Sequence, residues 1–309
     1  MITHSKRLGW LDIAKAIAII LMVLGHTSIP QYASNFIYAF HMPLFFIASG
    51  WTTNWEKYSF GEFFIRRVRT LLMPFILYSA IVLAIMILHG WDTIGEWLVK
   101  GWGDGYALWF IPVLIIATTI VKTLYAFREV GGGRLFWIVV VLVLCLGIDF
   151  HCLQIRLPWA LSSIPYAVLM VVIGSEWSKI EFKPRGLHFM AVMPAILIVA
   201  LISHSWRLDM CFNSIIPILP LTIGAITGTM MVFLVSSLIE KYFKRLSPVL
   251  ISIGKETYII VAFSQITIML LNEYFQLNVA IKYALLIMIL IMIKYIKDAV
   301  NNVFKTKII

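Results

Sequence analysis

Two histidines near the amino terminus lie in apolar stretches of the sequence, and the histidine side chain can take part in acid–base catalysis. His26 ends the apolar stretch DIAKAIAIILMVLGH, and His41 lies near the start of the next, FHMPLFFIASG. Because imidazole titrates near neutral pH, it can accept a proton from a hydroxyl group or act briefly as a nucleophile. The ordinary alternatives are an interfacial histidine for His26 and a hydrogen bond across two antiparallel helices for His41.

Asp12 and Lys15 lie in the same stretch as His26. At 100° per residue, Lys15 and His26 are about 20° apart on one helix face and roughly 16 Å apart along the axis. Asp12 lies about 40° from His26 on that face. Ionisable groups inside a membrane are costly, which makes this stripe a candidate for function. Alternatively, Asp12 and Lys15 extend to the nearer membrane surface.

Three arginines, Arg66, Arg67 and Arg69, precede the third apolar stretch. A planar guanidinium group matches the geometry of phosphate oxygens, so this spacing is suited to a phosphate-bearing ligand. Arg66 and Arg69 are three positions apart and share a helix face, whereas Arg67 points elsewhere. The competing interpretation is simple anchoring of a membrane helix by positive charge.

The composition indicates the elements that must position these groups. The chain has 309 residues, of which 61% are hydrophobic and 13% charged, with a net charge of +10. A soluble domain carries roughly 25% charged residues, so we expect a multi-pass membrane protein. No soluble segment is long enough for a nucleic-acid-binding domain, and we expect neither a nucleic-acid partner nor a metal.

Apolar spans divide the whole chain, 1–309, and predict a single membrane-embedded all-α domain of about ten transmembrane helices. Most of them reach the ~17 to 25 residues that a helix needs to cross the hydrocarbon. Alternation typical of a membrane β-barrel is absent from the sequence. The predicted spans are 11–28, 36–53, 71–88, 107–124, 135–150, 158–177, 187–203, 215–238, 249–271 and 279–296.

Basic residues are concentrated in every second predicted loop. With a cytoplasmic amino terminus, nineteen of the 25 lysines and arginines fall on the inner side, and Lys15 and Lys255 fall inside spans. Positive charge is enriched in cytoplasmic loops, so both termini are predicted to be cytoplasmic. The four basic residues on the predicted outer side are Lys100, Arg156, Arg207 and Lys282.

The first seventy residues resemble acyltransferase family 3, bacterial membrane proteins that typically O-acetylate the sugars of surface or secreted glycans. The resemblance rests on Lys15 and His26 with ten residues between them, on FHMPLFFIASG at 40–50 and on RRVR at 66–69. LWFIPVL at 108–114 and ISIGKETYII at 251–260 are similar to weaker family segments. Where members often carry a late histidine, this chain has Ser264. Either Ser264 or Gln265 replaces that histidine, or the reaction does not need it.

This resemblance implies a multi-pass protein of the bacterial cytoplasmic (inner) membrane that moves an acyl group, expected to be acetyl, from acyl-coenzyme A to a carbohydrate hydroxyl. His26 would be the base and His41 a second catalytic or acceptor-contacting residue. Arg66 and Arg69 would bind the phosphates of the donor, and Lys15 would line its channel. A glycan or metabolite transporter, or a non-catalytic regulator of the same fold, are the alternatives. The sequence does not indicate an oligomeric state.

Overall fold

A computed structural model describes residues 8–27, 29–100, 107–180, 182, 186–275 and 278–303. Some basic residues that support the predicted topology lie outside these described residues: Lys6, Arg7, Lys183, Arg185, Lys305 and Lys307. Within the described ranges the chain is α-helical and contains no strand longer than the isolated bridge between Asp209 and Ser214. The predicted all-α class is therefore confirmed.

Fourteen α-helices are found in the part of the chain that the structure describes. Shorter turns of other helix types accompany them: a π turn at Val68–Leu72 and 3₁₀ turns at Ala107–Trp109 and Pro158–Ser163. The α-helices are α1 Gly9–Gly25, α2 Gln31–Tyr38, α3 His41–Thr52, α4 Phe60–Arg67, α5 Met73–Leu88, α6 Ile94–Lys100, α7 Phe110–Cys152, α8 Ile164–Trp177, α9 Gly186–Phe189, α10 Val192–Ser205, α11 Ile218–Tyr242, α12 Leu246–Lys255, α13 Thr257–Tyr274 and α14 Val279–Val303.

Five helical segments of the described residues are long and apolar enough to cross a membrane, and α12 with α13 would add a sixth as one broken span. Others are shorter than the predicted spans, as in the 17 residues of α1 and the 12 of α3. The protein thus has several candidate membrane helices. The number ten and the cytoplasmic termini stay predictions. The five segments are Phe60–Leu88, Ala107–Cys152, Pro158–Trp177, Ile218–Tyr242 and Val279–Asn302.

Two breaks in the helices have identifiable causes. Gly132 has φ 74° and ψ 173°, which interrupts α7 between the fourth and fifth predicted spans. Only glycine adopts such a conformation at little cost. The second predicted span is also broken, because Ala39 and Phe40 separate α2 from α3. Phe40 is fully buried there, and its ring occupies the space that a side chain at Gly228 of α11 would need.

The residues group into two compact units. One comprises Met1–Thr53, Leu169–Met210 and Ser214–Thr257, and the other comprises Asn54–Val168, Cys211–Asn213 and Tyr258–Ile309. We call them the first and the second unit. Each is described separately below.

In the first unit, α1 packs against α3, α11 and α12, so the helix that carries Asp12 and Lys15 and ends just before His26 is central to its unit. Glycines permit the closest of these contacts. A Cβ atom at Gly254 of α12 would collide with the backbone carbonyl of Asp12 in α1. Gly50 of α3 and Gly174 of α8 each face the partner helix's backbone in the same way. Such backbone contact requires a residue without a side chain.

In the second unit, α4 continues through the π turn into α5. The hydroxyl of Tyr258, at the start of α13, donates a 2.7 Å hydrogen bond to the carbonyl of Leu71 in that turn. A π turn widens the helix and shifts the direction of the side chains that follow. Arg69 lies within this turn.

Candidate functional site

His26 lies directly after α1 and caps it. Its backbone N–H donates to the carbonyls of Met22 and Val23 at 3.2 and 3.3 Å. The side chain is half-buried, and its ring makes an edge contact with Tyr38 of α2, with ring centroids 6.0 Å apart. The imidazole is therefore held at a helix end where part of it is accessible to a ligand.

His41, the first residue of α3, is only 2% exposed. Its Nδ1 atom lies 2.9 Å from the carbonyl oxygen of Ile37. A carbonyl can only accept, so Nδ1 carries the hydrogen and donates it. In the neutral ring this leaves a lone pair on Nε2. The break between α2 and α3 therefore selects one tautomer of His41.

Tyr38 joins the two histidines. Its ring lies 4.9 Å from the ring of His41, centroid to centroid, in addition to its contact with His26. The guanidinium carbon of Arg207, from the connection between α10 and α11, lies 3.7 Å from the Tyr38 ring centroid. We call His26, Tyr38, His41 and Arg207 the histidine cluster. All four belong to the first unit.

Neighbouring side chains fix Arg207. Nη1 donates to Ser34 Oγ at 3.1 Å and to Asn35 Oδ1 at 3.4 Å, both on α2. Nε lies 3.8 Å from Asp209 Oδ2, which is an ion pair without a hydrogen bond. Asn35 in turn donates from Nδ2 to the carbonyl of Ser203 at 3.3 Å, which links α2 to the end of α10. The arginine is thus oriented from several sides.

Lys15 and Asp12 form an ion pair, with Lys15 Nζ 2.6 Å from Asp12 Oδ1. Asp12 is 3% exposed, whereas about a quarter of the Lys15 side chain is exposed, at 27%. A buried carboxylate is costly unless it is paired, so Lys15 compensates the charge of Asp12. The exposed part of Lys15 still leaves room for contact with a ligand.

Arg66 and Arg69 lie in the second unit and are both exposed. The guanidinium carbon of Arg66 lies 4.0 Å from the ring centroid of Tyr58. Arg67 is half-buried, with its guanidinium 4.9 Å from the ring of Phe63. We call Arg66 and Arg69 the arginine pair. Their exposure and charge suit the binding of phosphate oxygens.

A family model described as an acyltransferase domain matches residues 8–296 of the chain. The chain belongs to acyltransferase family 3. Searches of curated proteins and of solved structures gave no match. Membership indicates a membrane acyltransferase, and the matched range contains every candidate residue discussed above.

For an acyltransferase, the structure brings together some of the predicted site residues. His26 and His41 meet through Tyr38. Lys15 pairs with Asp12 on α1, the helix that ends just before His26. The arginine pair lies in the other unit.

Sequence reasoning missed two members of the acyltransferase's histidine cluster, Tyr38 and Arg207. A signal for Arg207 was present, because it is one of only four basic residues on the predicted outer side, where positive charge is disfavoured. Tyr38 precedes His41 by three positions. The contact of Tyr38 with both histidines depends on the break between α2 and α3, and the apolar pattern of the sequence does not reveal that break.

Ser264 of α13, where the resemblance in the sequence led us to expect a histidine, is fully buried. Its hydroxyl has no hydrogen-bond partner among the described residues. Gln265 is partly exposed.

Proposed function

We propose that this protein is an O-acyltransferase of the bacterial cytoplasmic membrane that moves an acetyl group from acetyl-coenzyme A to a hydroxyl of a carbohydrate. The observation that carries the proposal is the pair of imidazoles around Tyr38 in a chain of acyltransferase family 3. In this proposal ten helices cross the membrane as one acyltransferase domain, and both termini are cytoplasmic.

His26 acts as the general base. The acceptor oxygen attacks the carbonyl carbon of the thioester while the imidazole of His26 takes the hydroxyl proton. The carbonyl π electrons move onto oxygen, which gives a tetrahedral oxyanion. When this collapses, the carbon–sulfur bond breaks and the departing thiolate takes the proton from the imidazolium. The products are an ester and free coenzyme A thiol, and such positioned bases typically contribute ~10² to 10⁴ in rate.

His41 orients the acceptor. Its Nδ1–H is committed to the carbonyl of Ile37, so Nε2 is the atom that can accept a hydrogen bond from a substrate hydroxyl. Burial and this hydrogen bond keep the ring in one orientation. A ring held in one orientation is suited to positioning a substrate hydroxyl.

The arginine pair binds the donor. Coenzyme A is a substrate that carries a diphosphate and a 3′-phosphate, and the exposed guanidinium groups of Arg66 and Arg69 fit such groups. Lys15 lines the path of the pantetheine arm. The predicted separation of Lys15 and His26, roughly 16 Å, is within reach of that arm.

Thiol release tests the proposal. Purified protein in lipid is mixed with acetyl-coenzyme A and a candidate glycan, and free thiol is followed over time. We expect release by the wild type and a loss of ~10² to 10⁴ in rate for His26→Ala. Coenzyme A binding should stay near the wild-type affinity in His26→Ala, because the proposed phosphate contacts lie elsewhere. His41→Ala should lower turnover by a smaller factor.

His204→Ala is the matched control, since it removes an exposed imidazole that has no role in this mechanism. It should release thiol at the wild-type rate. Undiminished release by His26→Ala would refute the assigned base. No release with any plausible acceptor would instead favour a transporter of glycans or metabolites, which consumes no thioester.

A further inference from the structure

We infer that Arg207 is a catalytic residue that stabilises the oxyanion formed during acyl transfer, and this rests on the proposed function. Four observations support it: the place of the guanidinium in the histidine cluster, its fixed orientation, its remaining donor and its charge.

The guanidinium lies where the reaction is proposed to occur. Its carbon is 3.7 Å from the centroid of the same Tyr38 ring that contacts His26 and His41. A substrate carbonyl within reach of either imidazole would therefore enter the neighbourhood of Arg207. The side chain is 32% exposed, so a ligand can contact it.

Its orientation is set before any substrate binds. Ser34 and Asn35 both accept from Nη1, and the Tyr38 ring covers one face of the guanidinium plane. Donors that are already oriented stabilise developing charge without reorganising during the reaction, which makes them effective in catalysis.

One terminal nitrogen stays available. A guanidinium has five N–H donors. Among the described residues, the polar contacts of Arg207 involve Nη1 and Nε, and Nη2 makes no hydrogen bond. Nη2 is therefore the donor that can reach an oxyanion.

The charge of Arg207 also argues for this role. A cation in the same cluster repels the imidazolium that forms when a histidine takes a proton. That repulsion opposes catalysis unless the cation stabilises a negative charge that appears in the same step. The oxyanion that forms from the thioester carbonyl is such a charge, and Asp209, with Oδ2 3.8 Å from Arg207 Nε, forms an ion pair with the arginine without a hydrogen bond.

Kinetics of Arg207→Lys and Arg207→Gln test this role, with Arg156→Gln as the matched control. Arg156 is another arginine of the predicted outer side, with its guanidinium carbon 5.4 Å from the ring centroid of Phe212 in the second unit. Losing one oxyanion donor typically costs ~10² to 10³ in kcat. We expect a loss of that size for Arg207→Gln, a smaller one for Arg207→Lys and none for Arg156→Gln, with the KM for the acceptor little changed.

Slow hydrolysis of acetyl-coenzyme A without an acceptor supplies a second measurement. Water attack places an equivalent negative charge on the thioester's carbonyl oxygen, so the Arg207 variants should lose hydrolysis and transfer by similar factors. A raised acceptor KM with retained kcat would overturn the inference and assign Arg207 to an anionic group of the acceptor. A loss of transfer with normal hydrolysis would also overturn it.

Thermal unfolding separates catalysis from folding. Should Arg207→Gln fail to fold, Arg207→Lys decides, because lysine keeps the charge but lacks the planar fork. Wild-type kcat in a folded Arg207→Lys would overturn the inference while leaving the proposed function intact. Absence of thiol release from the wild type would count against the proposed function and this role together.

Discussion

The histidine cluster and the arginine pair differ in how closely surrounding contacts fix their side chains. In the cluster, His41 is buried and hydrogen-bonded to Ile37, and Arg207 is fixed by contacts with Ser34, Asn35 and Tyr38. In the pair, Arg66 and Arg69 are exposed on and just beyond α4, and Arg66 is supported by the ring of Tyr58.

This difference matches the two proposed tasks. Proton transfer and oxyanion stabilisation depend on the positions of single atoms, which favours groups held by several contacts. Binding of phosphates depends mainly on charge and reach, so exposed guanidinium groups suffice. The sequence indicated Arg66 and Arg69 through residue type and spacing alone, and their role in donor binding stays a prediction. It predicted only half of the cluster, which depends on tertiary contacts.

Membrane topology provides the strongest test of this comparison, because its outcome is all or none. The ten-helix prediction places the histidine cluster on the outer side and the arginine pair on the cytoplasmic side. Reporter fusions at Lys57, Arg128, Lys183, Lys244 and the carboxyl terminus should report cytoplasm. Fusions near Ser34 and Asp104 should not. Failure of this alternation at any of these points would contradict the ten-helix topology.

Removing the arginines tests the binding side of the comparison. Each charge-assisted contact to phosphate is worth ~1.5 to 3 kcal/mol, so Arg66→Ala and Arg69→Ala should each weaken coenzyme A binding by roughly 10- to 150-fold. Arg→Lys should restore only part of the affinity, since an ammonium lacks the planar fork. Equilibrium binding of coenzyme A to purified protein measures this.

Arg134→Ala is the matched control, because Arg134 is also an exposed arginine on the predicted cytoplasmic side. It should bind coenzyme A as the wild type does. If the folded double variant of Arg66 and Arg69 also binds normally, these two residues are membrane anchors.

The fold was predictable where residue type alone determines it. A chain that is 61% hydrophobic and lacks barrel-like alternation favours membrane helices, and Gly132 interrupts α7 between the predicted spans 107–124 and 135–150. The break between α2 and α3 was not predictable, because apolar residues continue across Ala39 and Phe40. It depends on burial of Phe40 beside Gly228, a contact between residues far apart in the sequence.

A pair of glycine substitutions compares the stability of helix packing in the two regions, between α1 and α12 and on α4. Gly254→Ala would push a methyl group into the Asp12 carbonyl of α1, and overpacking of this kind costs ~1 to 3 kcal/mol of unfolding free energy. Gly61→Ala, on α4, meets no atom within 4 Å. Thermal unfolding in detergent should show a lower midpoint for Gly254→Ala only. Equal midpoints would mean that α1 and α12 separate without cost.

Tyr58 provides the smallest and most specific test of the comparison. If its ring holds Arg66 ready for a phosphate, removing the ring removes a cation–π contact worth ~0.5 to 1 kcal/mol at an exposed site. Tyr58→Leu should then weaken coenzyme A binding by roughly 2- to 5-fold, whereas Tyr58→Phe, which keeps the ring, should not. The effect should vanish when Arg66 is already alanine, since the ring then has no guanidinium to support. An equal loss in the Arg66→Ala background would show that Tyr58 contacts the donor itself, and the arginine pair would then bind without preorganisation by this ring.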